Sequence, residues 1–461
     1  MSNRLPEELL QSLEEVEGFD KDRFIYVHES GEQVVSVRFN PLKLKTPVED
    51  LFPGAEKIPW CSGGYYLPAR PSFTLDPLLH AGVYYVQEAS GMFIEQCVRQ
   101  HSDLNASLHV LDLCGAPGGK STLLHAIINS DSLLVSNEVI KTRASILVEN
   151  MVKWGGANVV VTNNDPADFK KLPSFFDIIV VDAPCSGSGL FRRDPDAVGE
   201  WSTEAVNMCS LRQKRILHDV FDSLKPGGLL VYSTCSYSKE EDENICDHLV
   251  SHFHVEPLEV KTSPDWNIVE SHSTHHRAPG YRFFPDKLKG EGFFAACFRK
   301  LQVDEIGSGE RKKGKLTKAT RNETGIAAAW LSEKVACDFF SYEGEVLAVT
   351  AALSTGLLHV HAQLYLKKAG VRLGRVIGSD LVPHHELAVS GLASQNLQRV
   401  SLKREDALQY LRKEDVTLGP GMLGWALVEY KGYELGWVKM LGRRWNNYYP
   451  KDWRILKSGN N

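Results

Sequence analysis

The chain has no uninterrupted apolar stretch near the roughly 20 residues a membrane-spanning helix needs. Its opening residues, MSNRLPEELL, lack the apolar core of a secretory signal. A soluble, cytoplasmic protein is the expectation, with no membrane partner. No CxxC pair occurs among the nine cysteines, which are spread from Cys61 to Cys337. An odd count without an export signal argues against structural disulfides and against a zinc site. Positive charge is not in excess either: 52 Lys and Arg stand against 58 Asp and Glu, a formal net charge of -6. The chain as a whole is therefore no electrostatic glove for nucleic acid, and phosphate contacts must come from local patches. Internal repeats are missing, which excludes a solenoid.

What is present is an ordinary globular composition, 43% hydrophobic and 24% charged, over 461 residues. At about 100–200 residues per domain that length accommodates two to four domains. Residues 5–17 alternate acids with Leu9, Leu10 and Leu13, the pattern of a short amphipathic helix. RFIYVHES and EQVVSVRFN read as two strands joined across Ser30–Gly31, so residues 1–105 are expected to form a small α+β region. From His109 short apolar runs alternate with helical stretches: HVLDLC, LLVSNEV, VVVTNN, FDIIVVDAP and GLLVYSTC. Continuous apolar strands in a βα alternation predict a parallel sheet covered on both faces. Before the last run, Leu217, Val220, Phe221 and Leu224 fall on one helical face, and KPGG is expected to stop that helix. The sheet closes near EGFFAACFRK, giving a domain at 106–301. Residues 302–325, with Arg311, Lys312, Lys313, Lys315, Lys318 and Arg321, read as a basic linker. Residues 326–461 resume globular composition with the β-like runs EVLAVTA, HVHAQLYL, WALVEY and GWVKML.

The first strand of the sheet ends in Leu111-Asp112-Leu113-Cys114-Gly115-Ala116-Pro117-Gly118-Gly119-Lys120. Strand, glycine turn and helix let backbone approach a ligand closely at a helix N-terminus. GGKS is not a Walker loop, because that motif needs glycine where this chain has Cys114. Glu138 ends the second strand, 19 residues after Gly119, at the distance where an acid accepts hydrogen bonds from a ribose diol. Asp165 ends the third strand and Asp182 the fourth. Three acids in order at ligand-facing strand ends, with the glycine loop, favour a nucleoside-bearing cofactor. S-adenosylmethionine and a dinucleotide both suit them.

Two cysteines stand just past the same sheet edge, Cys185 in DAPCSGSG and Cys235 in STCSYS. Most free thiols are small buried hydrophobes, the reading for Cys97, Cys209, Cys246, Cys297 and Cys337. Cys185 and Cys235 sit among Ser, Thr and Gly, which that reading does not explain. A thiol beside a methyl donor has a defined use. Carbon 5 of cytosine is a poor nucleophile until a thiolate adds at carbon 6, and a carboxyl group at N3, where Asp182 is placed, stabilises the adduct. Ionising an ordinary cysteine at pH 7 costs about 2 kcal/mol, within reach of nearby dipoles.

LDLCGAPGGKS, NDP, DAPCSGSG and STCSYSKEEDEN together resemble the motifs of the Nop/Sun family of RNA cytosine-C5 methyltransferases, over roughly residues 80–300. The resemblance implies a Rossmann-like methyltransferase core, a parallel sheet with an antiparallel edge, and S-adenosylmethionine as cofactor. It implies Cys235 as nucleophile and Cys185 as the thiol assisting adduct breakdown. It carries cofactor contacts onto Cys114, Gly115, Ala116, Pro117, Gly118, Gly119, Lys120, Glu138, Asp165 and Asp182. YYVQEASGM, with Gln87 and Glu88, resembles the segment flanking the family's active site, and FRRDPDAV, with Arg192 and Arg193, its substrate-side loop. RVIGSDLVPHHELAVS and GWVKMLGRRWNNYYPKDWR resemble the C-terminal PUA-like, RNA-binding region of the family's bacterial small-subunit ribosomal RNA branch. There Arg443 and Arg444 are the expected RNA contacts, interleaved with aromatics that stack bases or fill a small core. His272, His275 and His276 lack an acid or cysteine at ligand spacing and read as a polar loop, so no metal is expected. His384-His385 reads equally as an RNA contact or a structured turn.

The expected activity is methylation of small-subunit ribosomal RNA by a monomer, with transfer RNA as an alternative substrate. A non-catalytic ribosome-assembly factor would show degraded motifs, whereas here both cysteines and the glycines are intact. A DNA cytosine methyltransferase would use the PC-motif thiol and leave Cys235 without a role.

Overall fold

Five short runs of Val, Ile and Leu set the architecture. A computed structural model of the chain describes residues 5–301, 316–332, 336–415, 423–442 and 444–457. It places these runs as β1 (His109–Asp112), β2 (Leu133–Asn137), β3 (Val159–Thr162), β4 (Phe176–Asp182) and β5 (Leu224–Thr234). Their spatial order is β3-β2-β1-β4-β5, and each neighbouring pair is parallel. Parallel neighbours need long crossovers. Three are helical: α1 (Gly119–Ile127), α2 (Lys141–Trp154) and α3 (Thr203–Val220). Because successive side chains point to opposite faces, Leu111, Val135, Val160, Ile179 and Val181 enter one apolar layer. Val110, Leu134, Val161, Ile178 and Val180 enter the other, with Leu123 of α1 and Leu147 and Met151 of α2. Beyond β5 the sheet turns antiparallel through β6 (Phe293–Lys300), then Pro279–Phe283 and Val269–His272.

The helix before β5 ends earlier than its apolar pattern suggests. α3 stops at Val220, Phe221–Ser223 is a 3-10 turn, and Leu224 pairs with Phe176 as the first residue of β5. The KPGG segment lies inside the strand, where Gly227 adopts φ +75°.

The N-terminal region is α+β, with one element exchanged. Glu7–Leu13 is the expected helix and buries Leu9, Leu10 and Leu13. RFIYVHES, expected as a strand, is instead part of the helix Lys21–Glu29, capped by Asp20 accepting from Arg23 N. On a strand Phe24 and Tyr26 would share a face, yet Phe24 is buried and Tyr26 is 76% exposed. Val35–Phe39 then pairs with Gly64–Leu67 and Tyr84–Val86 in a four-stranded antiparallel sheet. The two helices pack through Leu9, Leu13 and Phe24 on Phe191, Trp201, Tyr237 and Phe284. They thereby buttress the loops that follow β4 and β5.

The C-terminal region is less separate than its composition suggests. HVHAQLYL, read as β-like, spans a helix and a strand. In the helix, Ser354–Gln363, Leu357 and Val360 lie three apart and enter the apolar layer of the central sheet. Leu366–Ala369 pairs antiparallel with β3 and closes that edge. The remaining strands form a five-stranded sheet within residues 317–383 and a four-stranded sheet of Gln398–Leu402, Leu423–Tyr430, Tyr433–Leu441 and Trp445–Asn447. Trp437 and Tyr449 are buried there, as core aromatics should be, while Trp445 and Trp453 are half-buried. Val37, Phe39 and Val83 share one cluster with Leu408, Tyr410 and Val428, so the two ends of the chain are packed together. Of the expected basic linker, Arg311, Lys312, Lys313 and Lys315 lie outside the described residues. Lys318 is in a short strand, Thr317–Lys318, and Arg321 opens the helix Arg321–Ala328. Among the described residues no helix is long and apolar enough to cross a membrane.

Ending the chain after Lys300 would leave β3, whose Val159, Val160 and Val161 are buried, as an open edge. Such an edge invites strand addition by another chain. The truncated protein is expected to aggregate where the full chain does not, as gel filtration would show.

Candidate active site

The glycine loop after β1 is tight for steric reasons. Gly115 N donates to Asn137 O at 2.7 Å, and a Cβ on Gly115 would lie 2.8 Å from Ser121 Oγ. Gly118 adopts φ +122°, which only glycine does freely. Asp112 lies beneath the loop, fully buried, accepting from Ser121 Oγ at 2.6 Å. Its Oδ1 has no hydrogen-bond partner among the described residues. Burial pushes this carboxyl up to about 7, and nothing in the sequence singled it out.

A cleft of about 300 Å³ opens at this end of the sheet, lined by Cys114, Gly115, Ala116, Pro117, Gly119 and Lys120 of the loop. Its opposite wall includes Gln87, Glu88, Asp182, Arg193, Cys235 and Glu291. Glu138 follows β2 directly and Asp165 lies three residues past β3, on the same edge, without lining that cleft. Glu138 is buried, accepting from Ile140 N and lying 3.5 Å from Arg143. Asp165 caps the 3-10 turn Pro166–Lys171 through Ala167 N.

β4 and β5 bring Asp182, Cys185 and Cys235 together at this end of the sheet. Asp182 accepts from Ser233 Oγ at 2.9 Å and pairs with Lys120 Nζ at 2.8 Å. Burial works against the charge of Lys120, but Asp182, helped by Cys235 and Asp112, offsets it, so the ammonium is held above its ordinary pKa. Cys185 Sγ and Cys235 Sγ are 3.0 Å apart. The hydrogen bond to Cys235 and burial hold the Cys185 proton well above the ordinary thiol range. Cys235 lines the cleft and Cys185 does not.

The two thiols meet because one carboxylate ties their loops together. Glu241, fully buried, accepts from Ser186 N, Ser186 Oγ, Ser236 Oγ and Gln213 Nε2. Ser186 follows Cys185 and Ser236 follows Cys235. Burial raises the carboxyl of Glu241 while these hydrogen bonds oppose the rise. Gly189 N donates to Cys235 O at 2.9 Å, and a Cβ there would come within 2.7 Å of that oxygen. Neighbouring Asp242 and Glu243 are buried against Arg282, whose Nη1 is 3.2 Å from Asp242. Glu241, Asp242 and Glu243 of the KEEDEN run are thus interior, although a run of charges in a sequence normally marks a solvated face. Its place beside the TCS motif is the signal that could have revealed it.

The expected RNA-side arginines divide. The Arg192 side chain is only 5% exposed and is spent on protein partners: Gly290 O, Glu32 O and Glu291. It braces loops instead of facing solvent. Arg193 is exposed at the cleft. Arg444 is exposed before Trp445–Asn447, and Arg443 lies outside the described residues. Among the described residues no His, Cys, Asp and Glu group could hold a metal. His275 and His276 instead donate their backbone N–H groups to Asp247, in the polar turn expected. His384 caps the helix His385–Val389.

Three family models match the chain in order. They are the N-terminal domain of 16S rRNA methyltransferase RsmF over residues 5–89, 16S rRNA methyltransferase RsmB/F over 102–299, and the methyltransferase RsmF PUA domain over 397–455. The ribosomal RNA small subunit methyltransferase F of Shewanella piezotolerans is 31% identical over 428 residues, covering 90% of this chain and 88% of its own. The chain belongs to the RsmB/F family of 16S rRNA methyltransferases. The Aliivibrio salmonicida member is 30% identical over 446 residues, 92% of either chain. Among solved structures, a methyltransferase homolog from Pyrococcus horikoshii is 28% identical with a TM-score of 0.51, over 64% of this chain and 100% of that one. NSun6 of the same organism shares the fold at a TM-score of 0.54 and 18% identity, over 65% of this chain and 100% of its own. Members of the RsmB/F family are S-adenosylmethionine-dependent cytosine-C5 methyltransferases, and this chain is an S-adenosylmethionine-dependent enzyme. The motif resemblance therefore extends beyond the catalytic sheet to both ends of the chain.

Replacing Glu241 with Ala would strand the buried Ser236 Oγ and take an acceptor from the half-buried Ser186 N and Oγ and from Gln213 Nε2; a buried donor left unpaired costs about 1–3 kcal/mol. Chemical denaturation is expected to show about 3 kcal/mol of lost stability, with a smaller loss for Glu241→Gln.

Proposed function

We propose that this chain methylates carbon 5 of a cytosine in small-subunit ribosomal RNA, with Cys235 as nucleophile and Cys185 as the thiol that releases product. The observation that carries this reading is the pair of sulfurs 3.0 Å apart, of which only Cys235 opens onto the cleft beside Lys120 and Asp182.

The residues present fit S-adenosylmethionine. The loop Cys114, Gly115, Ala116, Pro117, Gly118, Gly119 and Lys120 brings backbone to the cleft at the start of α1. Glu138 and Asp165 stand at the adjoining strand ends as acceptors. The orphaned Asp112 Oδ1 offers a buried acceptor close by. When bound, S-adenosylmethionine supplies an electrophilic methyl group that carbon 5 of an activated cytosine accepts.

The chain's own groups do the activating. Cys235 Sγ, as thiolate, forms a bond to carbon 6, and the ring electrons shift toward N3 and C5. The Lys120 ammonium can pass a proton through Asp182 to N3 as charge develops there, and N3 returns that proton when the C4–N3 double bond re-forms on methyl transfer. After methylation a base removes the proton from carbon 5, the C5–C6 double bond re-forms, and Cys235 leaves as thiolate. Cys185 Sγ is 3.0 Å from that leaving sulfur, within reach to pass it a proton. Cys185 stands off the cleft that Cys235 lines, which disfavours the DNA-enzyme arrangement. Arg193 at the cleft and Arg444 on the PUA-like module are assigned to RNA phosphates. Relatives named for the small subunit favour ribosomal over transfer RNA. The intact cysteines and glycine loop argue against a purely structural assembly factor.

Covalent trapping tests the assignment. Wild type, Cys185→Ala and Cys235→Ala are each incubated with unmethylated small-subunit RNA and S-adenosylmethionine and run on a denaturing gel. Cys185→Ala is expected to accumulate a slow-migrating protein–RNA adduct, and Cys235→Ala to form none and transfer no methyl. An inverted pattern would make Cys185 the nucleophile.

A further inference from the structure

A second polar recess adjoins the catalytic cleft and is not used by the chemistry above. It shares Val86, Gln87, Glu88, Arg193 and Glu291 with the cleft and is completed by residues 33–36 and Arg70. The N-terminal sheet and the segment before β6 thus close a compartment that the catalytic sheet alone does not have. Its charges are segregated. Arg70 and Arg193 are both exposed, and neither has an ion-pair partner within 4.0 Å among the described residues. The same recess holds the Glu291 carboxyl, whose side chain is 8% exposed and whose Oε2 lies 3.7 Å from Arg192 Nη1 but has no hydrogen-bond partner among the described residues. Glu88 beside it is no donor to it: its oxygens accept from Ser90 N, Gly91 N and Glu291 N. Burial pushes the Glu291 carboxyl up to about 7, with Glu88 adding to the rise and the arginines opposing it. At neutral pH it can therefore donate as well as accept.

Guanidinium groups without an ion-pair partner among the described residues, with a carboxyl and the Gln33 and Gln87 amides alongside, suit a nucleotide, whose phosphate is anionic and whose base carries both donors and acceptors. A cytosine drawn into the cleft for chemistry at carbon 5 must be unstacked, and its covalent neighbour is carried to the cleft's rim with it. We propose that this recess seats the base of the nucleotide directly flanking the target cytosine, with Glu291 reading its edge and Arg70 and Arg193 holding the adjoining phosphates. The proposal rests on the RNA reading above and deepens it, because it makes the N-terminal region a determinant of sequence context.

The test uses the full chain and a short single-stranded RNA spanning the cytosine that wild type methylates, mapped first by bisulfite sequencing. A second RNA carries an abasic site in place of each flanking base in turn. Arg70→Ala is expected to raise KM about tenfold, the equivalent of one charge-assisted hydrogen bond. The kcat should stay within about twofold, and the dependence of log KM on log salt should weaken by about one phosphate contact. One abasic substitution is expected to raise KM for wild type, and Glu291→Gln to add nothing on that RNA. Thermal melting of Arg70→Ala should match wild type, since the side chain is exposed. The proposal is overturned if wild type is active while Arg70→Ala and both abasic RNAs keep its KM. It is equally overturned if Glu291→Gln lowers activity as much on the abasic RNA as on the intact one. If wild type methylates no RNA at all, the functional reading itself fails and this proposal falls with it.

Discussion

A parallel sheet buried on both faces has only one place for polar chemistry. Its strands are apolar along their length, so ionisable groups are confined to the strand ends and the loops beyond them. Asp112, Glu138, Asp165, Asp182 and Cys235 all stand at or just past the same end of successive strands. This confinement concentrates carboxylates and thiols at a small crevice, where burial then shifts them. Asp112 is pushed up to about 7, and Cys185 keeps its proton.

Concentrating such groups carries an electrostatic cost that the surrounding loops offset by hydrogen bonding. Asp182 is matched by Lys120 and Ser233, Glu241 by two serines and a glutamine, and Asp242 and Glu243 by Arg282. A buried carboxylate that accepts from several donors is rigid because moving it would strand them all. In this site the rigidity is useful. Glu241 links the residue after each cysteine, so the separation of the two sulfurs is set by a shared partner and not by two independent loops.

The outer regions are part of the same construction. The N-terminal helices support the loops after β4 and β5, and the N-terminal sheet supplies one wall of the cleft through Gln87 and Glu88. Arg38 anchors that sheet to α1 by donating to Thr122 Oγ1 while its guanidinium lies over Trp154. From the other end of the chain a helix covers the central sheet and a strand closes its β3 edge. RNA contacts proposed for the two ends are therefore held at fixed positions relative to the two sulfurs.

Much of this was legible in the residues. The βα alternation, the glycine loop, the acids at strand ends and both cysteine motifs depend on local sequence, because hydrophobic periodicity and glycine sterics act over a few residues. What local patterning could not give were choices made by distant partners. RFIYVHES became a helix because Phe24 found a pocket among Tyr237 and Phe284, and HVHAQ became one because Leu357 and Val360 found the central sheet. Arg192 looked like a surface contact and is buried, since Glu32, Gly290 and Glu291 converge on it from separate segments. The sequence by itself determined which chemical groups this protein carries and at which strand ends they stand. Only the tertiary structure decided that Cys235 faces the cleft, that Glu241 aligns it with Cys185, and that the chain's two ends complete the catalytic unit. Those are relations between residues far apart in the chain, and only packing brings them together.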